Sequence, residues 1–409
     1  WTKLAMTVAA VTAMSATSTT PAVAQSGDDP ITIGMTISST GSFALQSQAG
    51  VRGVEMWVDS VNSRGGIEID GKKRKVELVK RDDRSDKQMV PRVYETLIEQ
   101  DDADLLFGPF GSTLTSTAAQ VTERNEKFLV IWSAASDAIY EQGFEHLVSA
   151  TQIASSLMPI PSVSLADKLG VEKMSIVYLD EPFPAGMAEG ARALAKEHGI
   201  EVVQFEKFSS GTKDFSILLQ KARASGADGF YPVAYEGDQM TMLRQMQETN
   251  VNFPFTFMLY GAQPQFVDNT GKTSHYLFSH TLYHEAINWD VTHGMNRDEF
   301  TDKYDKMFPD VAYPADFQTA LAYSAGVMTE IFIEEAGSLK ADALKKAALA
   351  VSGDVVTMAG PYAIKQNGKQ TGMQNVIMQN LPDTGLEAVH PESIATADPV
   401  YPIPEWTER

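Results

Sequence analysis

Residues 105–121 read LLFGPFGSTLTSTAAQV. Leu105, Leu106 and Phe107 form a short apolar run of the kind that is buried on both faces, it breaks at Gly108-Pro109, and a second glycine, Gly111, precedes a hydroxyl-rich stretch with helical spacing. A strand that turns through glycine into a helix brings free backbone N–H groups and the positive end of the helix dipole to Ser112. That arrangement favours a bound anion such as a carboxylate or phosphate. The alternative for an isolated turn is that Ser112 only caps its own helix.

Outward from this turn the same unit repeats. Upstream, ITIGMTI (31–37) leads through STGSF to a helix carrying Val51, Val54, Trp57, Val58 and Val61 at spacings of three and four, and KVELVKR (75–81) precedes a helix over 86–100. Downstream, KFLVIWSA (127–134) closes the first series. A second series begins with MSIVYLD (174–180) and continues through EVVQFEKF (201–208), ADGFYPVAY (227–235) and FTFMLYG (255–261), with helices between, including one over 238–250. Strands separated by single helices imply right-handed crossovers and parallel sheets covered on both faces, so an α/β chain of two similar lobes is expected. Long helices over 315–336 and 340–352 exceed what the second sheet needs and are expected to return to the first lobe, with the last strands crossing back. The lobes would comprise residues 30–149 plus 281–357 and 150–280 plus 358–409, with the ligand cleft between them.

Composition narrows the function classes. The first 24 residues, with Lys3, an Ala/Val/Met-rich middle and small residues at Ala22 and Ala24, are read as a secretory signal peptide cleaved after Ala24. The 409-residue chain has no cysteine, which removes disulfides, thiolate metal sites and a cysteine nucleophile. Together these point to an exported protein in a bacterial periplasm. A net charge of −20 does not fit nucleic-acid binding, and the basic run Lys72, Lys73, Arg74 and Lys75 is read as a solvated strand edge facing Asp82 and Asp83.

In open parallel sheets, ligands bind beyond the carboxyl ends of the strands. Those ends here read TISSTGSFA, FGPFGST, IWSAASD, YLDEPFPAG, PVAYEGD and LYGAQ, each with glycine, hydroxyl, aromatic or amide groups. Several such loops meeting in one cleft favour ligand binding over capping for Ser112.

Enzyme chemistry finds little support. NTGKT (269–273) lacks the earlier glycine of a phosphate-binding loop, since position 266 is Phe, and it is read as a turn. His280 and His284, beside Glu285, are read as surface histidines rather than a metal pair, and there is no GxSxG elbow. No cofactor or metal is expected. A sensor ectodomain on the same fold would call for a membrane span or a signalling module, neither of which is read in the sequence.

The chain resembles the periplasmic substrate-binding proteins of ABC importers of the leucine/isoleucine/valine-binding type, the type I periplasmic binding proteins. The resemblance runs through IGMTISSTGSFALQSQAGVRGVEMWVDSVNSRGGI (33–67), RDDRSDKQMVPRVYETLI (81–98), LLFGPFGSTLT (105–115), VIWSAASDAIY (130–140), GTKDFSILLQKARASGADGFYPVAYEGDQMTMLRQ (211–245) and TMAGPYAI (357–364). It implies two flavodoxin-like parallel-sheet lobes joined by a three-segment hinge, acting as a monomer that delivers a small solute to a membrane permease.

The resemblance also implies roles for particular residues. Ser112, with Gly111 beside it, would hold a ligand carboxylate, and Ala134 and Ser136 would offer a carbonyl and a hydroxyl to the ligand's ammonium and carboxylate. Tyr235 would close from the second lobe. Phe183 falls near a position usually tyrosine, and Gln46 near one that can be tryptophan. Where amino-acid-binding members carry an acid against the ligand ammonium, this chain has Gly261, with Tyr260 and Gln263 as neighbours. A buried ammonium without a counter-charge is costly, so an amino-acid ligand requires Glu236 or Asp238 to reach in; both are expected on the lip, with Asp238 capping a helix. A branched-chain or related amino acid therefore competes with a carboxylate lacking the amine, its body lying against Phe110, Trp132, Phe183 and Tyr235.

Overall fold

The structure is a computed structural model that describes Trp1 and residues 29–409; apart from Trp1, the expected signal segment lies outside the described residues. The first lobe begins with β1 (Ile31–Ile37), α1 (Ala44–Ser63), a hairpin of β2 (Ile67–Ile69) and β3 (Lys72–Arg74), β4 (Val76–Asp82) and α2 (Val90–Glu99). It continues with β5 (Leu105–Phe107), α3 (Ser112–Arg124), β6 (Leu129–Ile131), the single turn α4 (Asp137–Tyr140) and β7 (Leu147–Ser149). These strands form one parallel sheet in the order β4-β1-β5-β6-β7. All residues of β5, β6 and β7 are buried, as the continuous apolar runs of a sheet covered on both faces require.

The chain then crosses to α5 (Ile160–Leu169), β8 (Lys173–Leu179), α6 (Pro182–Glu197), β9 (Glu201–Phe208), α7 (Ser216–Ala224), β10 (Gly229–Val233), α8 (Glu236–Glu248), β11 (Phe255–Thr256), α9 (Pro264–Thr270) and β12 (Phe278–Thr281). The second parallel sheet has the order β11-β10-β8-β9. A bridge between Phe257 and Phe278 links it to β12.

After a second crossing, α10 (Arg297–Met307), α11 (Phe317–Ala336), α12 (Ala341–Ala350) and the hairpin of β13 (Val355–Thr357) and β14 (Gly360–Tyr362) return to the first lobe. Helices α1 and α11 lie so close that a Cβ at Gly53 would sit 2.2 Å from the Thr319 carbonyl, and one at Gly326 would sit 2.4 Å from the Trp57 ring. Glycine at these two positions is what lets the helices touch. Finally β15 (Val376–Leu381) pairs with β12 and with β16 (Gly385–His390), making a three-stranded sheet in the order β12-β15-β16 beside the second sheet. The proline-rich tail packs on the same lobe, where Ile403 N–H bonds the Pro254 carbonyl (2.8 Å) and Trp406 Nε1 the Val251 carbonyl (2.9 Å).

The third crossing lies further along the chain than the expected boundary at 357–358. Tyr362 packs on Phe332 and donates to the Ala348 carbonyl (3.1 Å), and Ser149 N–H donates to the Gly368 carbonyl (2.8 Å). Residues up to about Gln370 therefore belong with the first lobe, because the β13–β14 hairpin folds back on α11 and α12 instead of leaving after β13.

One of the two acids read as facing the solvated edge has a structural role. Asp83 is fully buried, and its carboxylate accepts from Thr36 Oγ1 (2.6 Å), Ser38 Oγ (2.5 Å) and Ser85 N–H (2.9 Å). Ser85 Oγ in turn accepts from Phe43 N–H (3.1 Å). This chain of bonds fixes the β1–α1 loop and holds Phe43 toward the second lobe.

Candidate functional site

The carboxyl ends of both sheets face one narrow cleft of about 30 Å³, lined on the first lobe by Phe110, Gly111, Ser112, Ser133 and Ala135, and by Gln152 and Met158 of the segment that crosses from β7 to α5. The second lobe adds Phe183, Tyr235, Leu259 and Tyr260, β12 adds His280, and the first turns of α11 add Phe317, Gln318 and Leu321. The volume holds about one water, so the lobes are closed on each other. Among the described residues, no lining side chain is an acid or a permanent cation. A ligand charge in this cleft must therefore be met by dipoles and hydrogen bonds, or by a charged group set just behind the lining.

The turn at 108–112 explains the first-lobe end. Gly111 has φ +83°, a conformation open to glycine and strained for other residues, and it is the residue before α3. With glycine there, no side chain caps α3. Ser112 is the first helical residue, so capping its own helix is not its role. Its Oγ instead accepts from Ser136 N–H (3.0 Å), tying the β5–α3 turn to the β6–α4 turn. Gly111 N–H reaches Ser133 Oγ at 3.3 Å, a long bond that an incoming carboxylate can replace. The helix N-terminus, Ser112, Ser133 and the phenol of Tyr235 together form a neutral corner of hydrogen-bond donors, chemically suited to an anion. Tyr235 Oη is buried without a partner, and a Cβ on Gly111 would lie 3.6 Å from it. Burial holds that phenol well above its ordinary range, so it remains a donor.

Tyr235 also closes the cleft from the second lobe. Its ring meets Phe43 edge-on at 5.0 Å, and lies 6.0 Å from Phe183 and 6.4 Å from Phe110. Two hydrogen bonds join the lobes nearby: Thr113 Oγ1 donates to Glu181 Oε2 (3.1 Å), and Gln46 Nε2 donates to Glu236 Oε2 (2.7 Å).

Glu236 is 2% exposed. It was expected on the lip because the helix was read as starting at Asp238; α8 in fact starts two residues earlier, with Tyr235 as its N-cap and Glu236 as its first residue. That shift turns the Glu236 side chain inward, while Asp238 stays half-buried outside the Gln46 contact. Gln265 Nε2 is a weaker second donor to Glu236 Oε2 (3.4 Å), and Oε1 is buried with no partner. Burial, reinforced by the nearby Asp316 carboxylate and opposed by the two amide donors, pushes the Glu236 carboxyl up to about 7.

The structure brings Gly111, Ser112, Phe183 and Tyr235 into the lining and sets Gln46 at the lobe junction. It does not bring Ala134, Ser136 or Gly261 there. The Ala134 carbonyl accepts from Tyr140 Oη (3.1 Å), and the lining presents Ser133 and Ala135 on either side of it. Ser136 serves through its N–H on Ser112. At Gly261 a Cβ would lie 3.1 Å from Ser279 Cβ and 3.2 Å from the Met258 carbonyl, so close packing explains the glycine, and Tyr260 faces the cleft. Trp132 is likewise behind the wall, with its ring against α1, where a Cβ on Gly50 would be 2.1 Å from it.

His280 is no surface histidine: it is 3% exposed, lines the cleft and has a buried Nδ1 without a partner. Among the described residues no group of three or more His, Asp or Glu is placed to hold a metal. Sequence reasoning also missed Phe43, Gln152, Phe317, Gln318 and Leu321. Phe43 and Ser133 stood in strand-end segments that were already suspect, whereas nothing local marks the start of α11 as a cleft wall.

Comparison with known proteins places this geometry. Leu/Ile/Val-binding protein homolog 7 of Brucella suis biovar 1 is 24% identical over 377 residues, covering 88% of this chain and 91% of the relative. The branched-chain amino acid transporter substrate-binding protein LivJ from Streptococcus pneumoniae, solved with isoleucine, superposes with a TM-score of 0.73 at 21% identity, covering 88% of this chain and 98% of the other. An ABC transporter solute-binding protein from R. palustris, solved with benzoate, superposes with a TM-score of 0.73 at 18% identity, covering 90% and 99%. At these identities the superpositions establish the fold, two parallel-sheet lobes of the type I periplasmic binding protein class. The family model described as "Periplasmic binding protein" matches residues 30–385, and the chain belongs to that family.

Proposed function

We propose that this protein captures a small amino acid with an apolar body in the periplasm and presents it, enclosed between its lobes, to the membrane permease of an ABC importer. The anion-binding corner at Gly111, Ser112, Ser133 and Tyr235 takes the α-carboxylate. Phe110, Phe183, Tyr260 and Phe317 surround the body. The observation that carries the amino-acid reading is Glu236: a carboxylate buried at the lobe junction with one oxygen unpaired, the residue next to Tyr235. An ammonium approaching Oε1 would satisfy that oxygen and stabilise the ionised form, which burial otherwise disfavours. Closure is then coupled to the ligand, because Gln46 holds the other oxygen of the same carboxylate from the opposite lobe.

A second reading has its own support. The lining itself carries no acid, and a benzoate complex exists on this fold, so a carboxylate without an amine fits the same corner. Calorimetry separates the two. Leucine and phenylalanine should bind more tightly than 4-methylpentanoate and 3-phenylpropanoate, and Glu236→Gln should abolish that preference. Tighter binding of the plain acids by the native protein would decide for the second reading.

A further inference from the structure

His280 is a buried polar group of this cleft whose Nδ1 neither the fold nor the carboxylate corner uses. It sits on β12, opposite Ile377, with its ring edge-on to Phe257 (6.1 Å) and Phe317 (6.0 Å). A buried ring nitrogen with no partner costs free energy that an aromatic carbocycle at the same place would not. Two neighbours of similar shape, Phe257 and Phe317, show that the surroundings accept phenylalanine. The aromatic contacts also divide the lining into two ends. Tyr235 groups with Phe43, Phe110 and Phe183 over Ser112, whereas His280 groups with Phe317, which lies 6.5 Å from Tyr260. His280 thus belongs to the aromatic group of the lining that does not include Tyr235, and a ligand held by its carboxylate at Ser112 would meet this group with the rest of its body.

Resting on the reading of this cleft as the ligand site, we infer that His280 determines specificity by hydrogen bonding a neutral polar group at the far end of the ligand. The preferred solute then carries a hydroxyl or amide there rather than a bare hydrocarbon. Burial pulls the imidazole down to about 3, so at working pH it is neutral, with one donor and one acceptor nitrogen, suited to a hydroxyl or amide rather than to a carboxylate. A site built around such a bond rejects an analogue that lacks it far more strongly than an apolar pocket rejects an added hydroxyl, because the protein atom is left unpaired.

The test is calorimetric titration of the full chain with matched pairs: tyrosine and phenylalanine, asparagine and leucine, and, without the amine, 3-(4-hydroxyphenyl)propanoate and 3-phenylpropanoate. In the pair that binds most tightly, the polar member should win by at least about tenfold. His280→Phe, which keeps the aromatic contacts, should bring that ratio to about one, and His280→Gln should restore part of it. Thermal melts of both variants check that the fold is kept. A polar preference seen only in the amine-free pair would overturn the amino-acid reading and leave this one standing. Tighter binding of the apolar member in every pair, a ratio unchanged in His280→Phe, or no binding by any of the six compounds would overturn the role of His280.

Discussion

Replacing Glu236 by glutamine preserves shape and an acceptor for Gln46, and removes only the charge. Two consequences follow with opposite signs. The folded carboxyl titrates near 7 against an ordinary 4.5, so between those values the folded chain retains a proton that the unfolded chain has lost. Stability from this group is therefore fully present below pH 4.5 and falls as the pH rises through 7. The drop is about 3 kcal/mol, at 1.36 kcal/mol per unit of displacement. Glu236→Gln lacks that slope. Without ligand it should match the native protein at pH 4.5 and melt higher at pH 8, by about 4 °C for a chain of this length if unfolding is two-state.

Ligand binding should move the other way. Loss of a hydrogen bond between two charged groups costs about 1.5–3 kcal/mol, which is a factor of roughly 10 to 150 in Kd for an amino acid and none for its amine-free analogue. In the native protein, an ammonium bound at Oε1 would drive Glu236 to ionise. Amino-acid binding near pH 7 should then release about half a proton, seen as a calorimetric heat that depends on the buffer, and it should tighten from pH 6 to 8. Gln46→Leu is the control, since it breaks the lobe-to-lobe bond and leaves the carboxylate. If Glu236→Gln weakens amine-free acids as much as amino acids, or matches Gln46→Leu in every respect, Glu236 is a latch between lobes and not the ammonium site.

Three further outcomes test other parts of the site. Ser112→Ala should weaken carboxylate ligands by about 1.5–3 kcal/mol in calorimetry, and should also cost the unliganded protein about 1–3 kcal/mol in denaturant titration, because Ser136 N–H loses its buried acceptor. Tyr235→Phe removes an unpaired buried hydroxyl, so the unliganded protein should be as stable as the native one or more so while ligand affinity falls; a loss of stability without ligand would mean that the phenol has a partner in the protein. Gly50→Ala should destabilise the first lobe by about 1–3 kcal/mol through the Trp132 clash, measured by thermal unfolding.

Much of this molecule was legible before any coordinates. Runs such as LLF at 105–107 and MSIVYL at 174–179 are largely apolar on both faces, and helices with three- and four-residue periodicity separate them, so the βα alternation and the strand ends that face the cleft followed from local chemistry. Gly111 and Ser112 could be read for the same reason: a turn needing positive φ followed by hydroxyls is a short-range pattern. Ala134, Ser136 and Gly261 were carried over by resemblance to positions whose backbone is indeed near the cleft, but which atom faces it depends on neighbours distant in sequence. Tyr140 occupies the Ala134 carbonyl, and Ser279 and the Met258 carbonyl crowd the Cβ position at Gly261.

Local residue pattern thus determined the α/β class, the two sheets and the glycine-serine turn that opens α3, because each rests on interactions within a few residues of chain. Tertiary structure alone decided the charge and the far end of the cleft. A two-residue shift in the start of α8 buries Glu236 against Gln46, 190 residues away, and the returning helix α11 sets Phe317 against His280. Desolvation and pairing across such distances fix which polar groups are left unpaired, and no local spacing encodes them.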